Sequence, residues 1–93
     1  MTPAARAEAA IEILQGHANS REAADRFVKQ WFSTRRFAGS KDRNAIADRV
    51  HEVLRRRAFY AWRMDSEEPR ALVLASLEAE GMTLDDIASL CGS

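Results

Sequence analysis

Apolar residues recur at three- and four-residue steps along nearly the whole chain, and glycine and proline fall only where such runs begin or end. That spacing lines one side of a 3.6-residue helix, whereas a half-buried strand needs alternation in steps of two, which no stretch shows convincingly. The fold class it dictates is all-α, a small helical bundle of about five helices. With 93 residues, the chain is read as a single domain, 1–93, without room for a second core and with limited burial, so that a missing neighbour would matter.

The punctuation predicts the elements. Thr2 and Pro3 supply an N-cap and a first-turn proline, after which Ala7, Ala10, Ile11 and Leu14 share a face until Gly16 stops the helix. Ser20 caps a second helix with Glu22 in its first turn; Ala24, Phe27, Val28 and Trp31 form its seam, and it ends near Phe37, before Gly39. Ser40 caps a third and longer helix, whose seam is Ile46, Val50, Val53, Leu54 and Ala61. After Pro69 the run Ala71 to Leu77, apolar nearly all round, predicts a central helix ended by Gly81. Thr83 with Asp86 three residues on reads as a capping box that opens a short last helix through Ile87 and Leu90.

Charge is distributed unevenly beneath a formal net charge of zero. From Arg21 to Arg63 there are twelve basic residues against five acidic ones; from Met64 onward, Arg70 alone opposes seven carboxylates. This asymmetry predicts a basic face for an anionic partner and an acidic end that does not touch it. Two clusters stand beside aromatic side chains, Arg35-Arg36-Phe37 with Lys41 and Arg43, and Arg55-Arg56-Arg57 with Phe59 and Tyr60. On the third helix Arg49, Arg56 and Arg63 follow one another at seven-residue steps beside the seam, while Arg55 projects nearly opposite it. The candidate residues for binding an anionic, phosphate-bearing partner are therefore Arg35, Arg36, Lys41, Arg43, Arg49, Arg55 and Arg56. Arg57 falls on the apolar face. Either the helix bends before it, or its stem snorkels while its guanidinium finds a carboxylate such as Asp42; the paired arrangement is preferred, because burying an unpaired charge costs too much.

Catalytic chemistry is absent from the pattern. His17 and His51 sit on different helices without Cys, Asp or Glu at metal-ligand spacing, so they read as surface or cap residues and no metal site is proposed. Cys91 lacks a neighbouring His or a basic setting that would activate it, and reads as a small apolar packer. Gly16, Gly39, Gly81 and Gly92 are too dispersed to cradle a phosphate, and none follows a strand, so no methyl-donor pocket of Rossmann type is present. A lone cysteine, no leader-like start and no run long enough to span a bilayer predict a soluble cytoplasmic protein with no membrane partner. Among the aromatics, Phe27 and Trp31 fall on a seam and read as core; Phe59 and Trp62 leave the seam of a straight third helix, free to stack on bases or to pack on another domain.

Taken together, Pro3-Ala4-Ala5-Arg6 with Ala9 to Leu14, Arg36-Phe37-Ala38-Gly39-Ser40-Lys41-Asp42-Arg43, Val53-Leu54-Arg55-Arg56-Arg57 and Pro69-Arg70-Ala71-Leu72 resemble the N-terminal NusB-like domain of the ribosomal RNA cytosine-C5 methyltransferases, the Sun/Fmu family. The resemblance covers most of the chain. It implies a NusB-like, RNA-binding helical module that positions small-subunit ribosomal RNA for a separate catalytic methyltransferase domain using S-adenosylmethionine, with Arg36, Lys41, Arg43, Arg55 and Arg56 toward the RNA. Family members continue into that catalytic domain, and their helical module is longer. The expectation is hence a module without its own cofactor or catalytic site, shorter than the family's, with apolar surface available for self-association.

Three rival readings differ in class or pathway. A purely structural or protein-interaction module would use the same arginines on partner carboxylates. A stand-alone transcription antitermination factor of the NusB type would share fold and ligand class. A DNA-binding helix-turn-helix built from 72–90 is disfavoured, because Asp85 and Asp86 would carry negative charge into a field of phosphates.

Overall fold

Thr2 and Pro3 start the first helix for separable reasons. The Thr2 hydroxyl accepts a hydrogen bond from the Ala5 amide at 3.1 Å, satisfying one orphan donor of the first turn, and Pro3 gives up only an amide that has no partner at that position. In the computed structural model, which describes residues 2–35, 39–83 and 85–86, this helix is α1 (Pro3–Ala18). It is followed by α2 (Ala24–Ser33), α3 (Ser40–Arg55), α4 (Arg57–Met64) and α5 (Pro69–Ala79). No strand occurs among the described residues, and the all-α bundle follows from the apolar spacing.

The core is where three seams meet. Ala10 and Ile13 of α1, Ile46, Val50 and Val53 of α3, and Val73 and Ser76 of α5 are essentially inaccessible to water. Helix α1 packs on α3, while α5 lies against α1, α3 and α4, as its nearly all-round apolar character requires. Helix α2 sits on the outside. Among the described residues it touches only α1 and α3, through buried Val28, Trp31 and Phe32. Helix α5 ends in a Schellman motif: Gly81 has φ +100°, the Met82 amide reaches the Leu77 carbonyl at 3.3 Å and the Gly81 amide reaches Glu78 at 3.0 Å. Gly81 thus acts as the terminator its sequence position indicates, because only glycine takes this conformation without strain.

Four boundaries differ from the sequence reading. Gly16 does not stop α1 but lies inside it, and a Cβ built there would stand 2.7 Å from Phe27 Cζ; its lack of a side chain is what lets α2 approach. Ser20 caps no helix, since its hydroxyl accepts from the Glu22 amide at 3.1 Å in a local turn and α2 starts only at Ala24. It also ends at Ser33, short of Phe37, which lies outside the described residues. The N-cap of α3 is Gly39, with Ser40 as its first helical residue.

The largest departure is the break at Arg56, with φ −115° and ψ 27°, which splits the long third helix into α3 and α4. A straight continuation would stack Arg57 on Ile46, Val50 and Val53 at eleven-, seven- and four-residue steps, burying a guanidinium at a cost of several kcal/mol. Forgoing regular geometry at one residue costs only about 1 kcal/mol, so the break wins. Arg57 is consequently exposed and lies 3.6 Å from Glu67, not beside Asp42, which pairs with Arg6. Both alternatives for Arg57 are met in part: the helix bends before it, and its guanidinium finds a carboxylate, Glu67 in place of Asp42. Among the described residues the helices number five, this split supplying one of them. The last helix anticipated from sequence lies mostly outside the described residues, although both bonds of its capping box are present: Thr83 N–H to Asp86 Oδ2 at 3.2 Å and Asp86 N–H to Thr83 Oγ1 at 3.1 Å. No helix of the described residues is long and apolar enough to cross a membrane.

A candidate nucleic-acid interface

Folding neutralises much of the positive charge counted along the chain. Arg6 donates from Nε to Asp42 at 2.8 Å, Arg49 forks onto Glu80 with an Nη2 to Oε1 distance of 3.0 Å, and Arg63 Nε meets Glu78 at 3.0 Å. Arg70 forks onto Glu8 at 2.7 and 3.1 Å. Arg55 pairs with Glu52, and Arg56 lies 3.8 Å from the same carboxylate. Arg35 lies 3.6 Å from Glu12 and over the Trp31 ring at 4.3 Å. These contacts lower the carboxyls' proton affinity: Arg70 holds Glu8 below its ordinary value, Arg6 does so for Asp42, and the Tyr60 hydroxyl, followed by Arg55, does so for Glu52.

What remains is concentrated. Among the described residues, the cations with no ion pair or hydrogen bond are Arg21, Arg26, Lys29, Lys41 and Arg43, all of them exposed. Helices α2 and α3 run antiparallel, with His51 facing Asp25 at 3.2 Å at one end. At the other end a groove is lined by Val28, Lys29, Phe32, Ser33, Arg43, Asn44 and Ala47. No carboxylate lines it. Lys29 and Arg43 come from different helices and meet across an apolar floor, with the Ser33 hydroxyl and the Asn44 amide as neutral polar groups beside them. Arg26 precedes Lys29 by three residues on α2, so it lies one turn along on the same side.

The seven residues singled out from sequence are distributed as follows. Arg43 lines the groove. Lys41 is exposed and unpaired, but two residues' separation turns it about 200° around α3 from Arg43, onto the opposite side. Arg35 is half-buried on Trp31, and Arg49 is a clamp between α3 and α5 that also donates to Ser76 Oγ at 3.3 Å. Arg55 and Arg56 stand about 18 Å along α3 from Arg43, twelve residues at 1.5 Å each. Arg36 lies outside the described residues. The described residues therefore do not form the one basic face that the charge asymmetry predicts: they fall into a groove at one end of α3 and a corner at the other. The carboxylates expected to stay apart from the basic side supply several of its partners, Glu67, Glu78 and Glu80. Sequence reasoning missed Arg26 and Lys29, which could have been found from their three-residue step on the polar side of α2.

The far corner has its own chemistry. Buried Tyr60 donates its hydroxyl to Glu52 Oε2 at 2.7 Å, and burial together with that bond pushes the phenol above its ordinary pKa. Arg56 lies over the Phe59 ring at 4.8 Å and the Tyr60 ring at 5.5 Å. His17 has its Nε2 3.0 Å from the Glu22 carbonyl and closes the last turn of α1 against the following loop. No group of three or more His, Cys, Asp or Glu among the described residues could hold a metal ion. No family model matches the chain, and neither the curated proteins nor the solved structures contain a match to it.

Proposed function

We propose that this bundle is an RNA-binding module that holds the phosphate backbone along the α2–α3 groove, in the manner implied by its resemblance to the NusB-like domain of ribosomal RNA cytosine-C5 methyltransferases. One observation carries the reading: most arginines are satisfied internally, whereas every described cation left without a partner lies between Arg21 and Arg43. A free guanidinium or ammonium beside a carboxylate-free groove attracts a polyanion, and the release of condensed counterions drives the association. Such contacts position a strand without reading its sequence. The module brings no methyl-donor chemistry of its own; small-subunit ribosomal RNA is the ligand, and a methyltransferase domain using S-adenosylmethionine is the partner that acts on it.

The test is an anisotropy titration of a labelled small-subunit ribosomal RNA fragment across a series of salt concentrations. The double variant Lys29→Ala/Arg43→Ala lowers affinity and flattens the slope of log K against log salt by about 1.4, two contacts at roughly 0.7 each for a single strand. Arg49→Ala, which removes an internally paired cation, leaves the slope unchanged. Equal slopes for the wild type and the groove variant refute the proposal.

A further inference from the structure

The exposed face of α4 carries side chains that neither the core nor the groove uses. Trp62 is 77% exposed, Phe59 43% and Met64 37%, the large apolar residues that the described part of the bundle leaves open. Tyr60 is the buried residue of α4, and the helical period leaves Phe59 and Trp62 off that inward side. Phe59 and Trp62, three residues apart, have ring centroids 6.4 Å apart and planes inclined by only 33°. Beside them, Arg55 and Arg56 share a single carboxylate, Glu52, one oxygen of which already accepts the Tyr60 hydroxyl. Asp48 lines the same groove as Arg55 and Glu52, so the positive charge set against the exposed aromatic faces is chiefly that of Arg56, held 4.8 Å over the Phe59 ring.

The size of the patch selects its occupant. Aromatic side chains offer about 150–250 Å² each, so at these exposures the patch presents roughly 300–400 Å², short of the ~450 Å² of apolar area that one side of a stable protein interface of standard size contains. A second copy of the chain is therefore the less favoured occupant. A nucleobase needs only one ring face, and a neighbouring cation for its phosphate. We infer that the α3–α4 corner binds unpaired bases of single-stranded RNA, which stack on Trp62 and Phe59 while Arg55 and Arg56 meet the adjoining phosphates. This inference rests on the RNA-binding reading and adds to it a preference for unpaired over duplex RNA.

The experiment compares three ligands with the full chain: a labelled single-stranded 12-nucleotide RNA, a duplex of the same length, and inorganic polyphosphate, which has the charge without the bases. Trp62→Ala weakens single-strand binding about tenfold, equal to ~1.4 kcal/mol, and leaves the other two affinities unchanged. Trp62→Phe keeps most of the affinity but abolishes the quenching of tryptophan emission by single-stranded RNA, because the remaining tryptophan, Trp31, is buried. Because Trp62 is largely exposed, neither replacement opens the core, and helical circular dichroism confirms the fold. Single-strand affinity unchanged in Trp62→Ala overturns the corner site and leaves the groove reading intact, as does an equal loss for all three ligands. A sedimentation change on Trp62→Ala without any change in RNA affinity assigns the patch to self-association instead. Absence of wild-type binding to either RNA removes the general reading and this one with it.

Discussion

Replacing Gly16 by alanine sets two effects of opposite sign against each other. Alanine in a helix interior is favoured over glycine by about 0.8–1 kcal/mol, and Gly16 lies within α1, so local propensity alone makes the variant more stable. The new Cβ, however, would stand 2.7 Å from Phe27 Cζ and 3.3 Å from Cε1. The Phe27 ring must retreat by roughly 0.7 Å to restore ordinary contact, and it is also engaged edge-on with His17, centroids 5.7 Å apart. Overpacking of this kind costs about 1–3 kcal/mol, so the clash outweighs the propensity. Gly16→Ala is expected to lose about 1 kcal/mol, equivalent to about 4–8 °C in Tm for a domain of this size. Urea unfolding followed by circular dichroism measures it, and a double-mutant cycle isolates the cause: with Phe27→Ala in place, the same substitution becomes stabilising by up to about 1 kcal/mol. A stabilised Gly16→Ala in the native background would refute the contact as the reason for the glycine.

Two further outcomes concern the Tyr60–Glu52 bond and the paired carboxylates. Tyr60→Phe removes a buried donor to a charged acceptor and destabilises by about 1.5 kcal/mol, the low end for such bonds, because Glu52 keeps its arginine partners; an unchanged urea midpoint would contradict the bond. Glu8, Asp42 and Glu52 have lowered pKa values in the folded chain, so their contribution to stability is complete above the unfolded carboxylate values of about 4 and disappears as the pH falls through the folded ones. Tyr60 is shifted upward; its contribution is complete below about pH 10 and disappears as the pH rises through the folded value. The urea midpoint measured against pH should therefore be flat between these limits and fall on both sides, and a midpoint that rises on acidification below pH 4 would contradict the assignment.

Features governed by neighbours in sequence were legible. Thr2 with Pro3, Pro69, Gly81 and the Thr83–Asp86 pair all act over three or four residues, and each does in the fold what its type suggests. The role of Gly16 was not legible, because a tertiary partner, the ring of Phe27, decides it; the break at Arg56 was legible only as one of two ways to keep Arg57 from unpaired burial. Helical periodicity alone extrapolates α3 straight through Met64. The basic site suffered the same limitation. Counting charges along the chain does not reveal that Arg49 finds Glu80, 31 residues away, or that Arg70 finds Glu8 across 62. Arg43 and Lys41 were correctly marked as cationic side chains near the start of α3, but only the antiparallel seating of α2 shows that Arg43 faces Lys29.

That seating has a mechanical side. A helix fastened to two neighbours, when α3 is fastened to four, lies at the low end of the range of local opening free energies within one domain. A polyanion laid across Lys29 and Arg43 would tie this loosely held rod to the best-anchored one, and by mass action the bound strand would suppress its breathing. Ligand and scaffold would then stiffen each other, with recognition completing a tether that the short chain makes only in part.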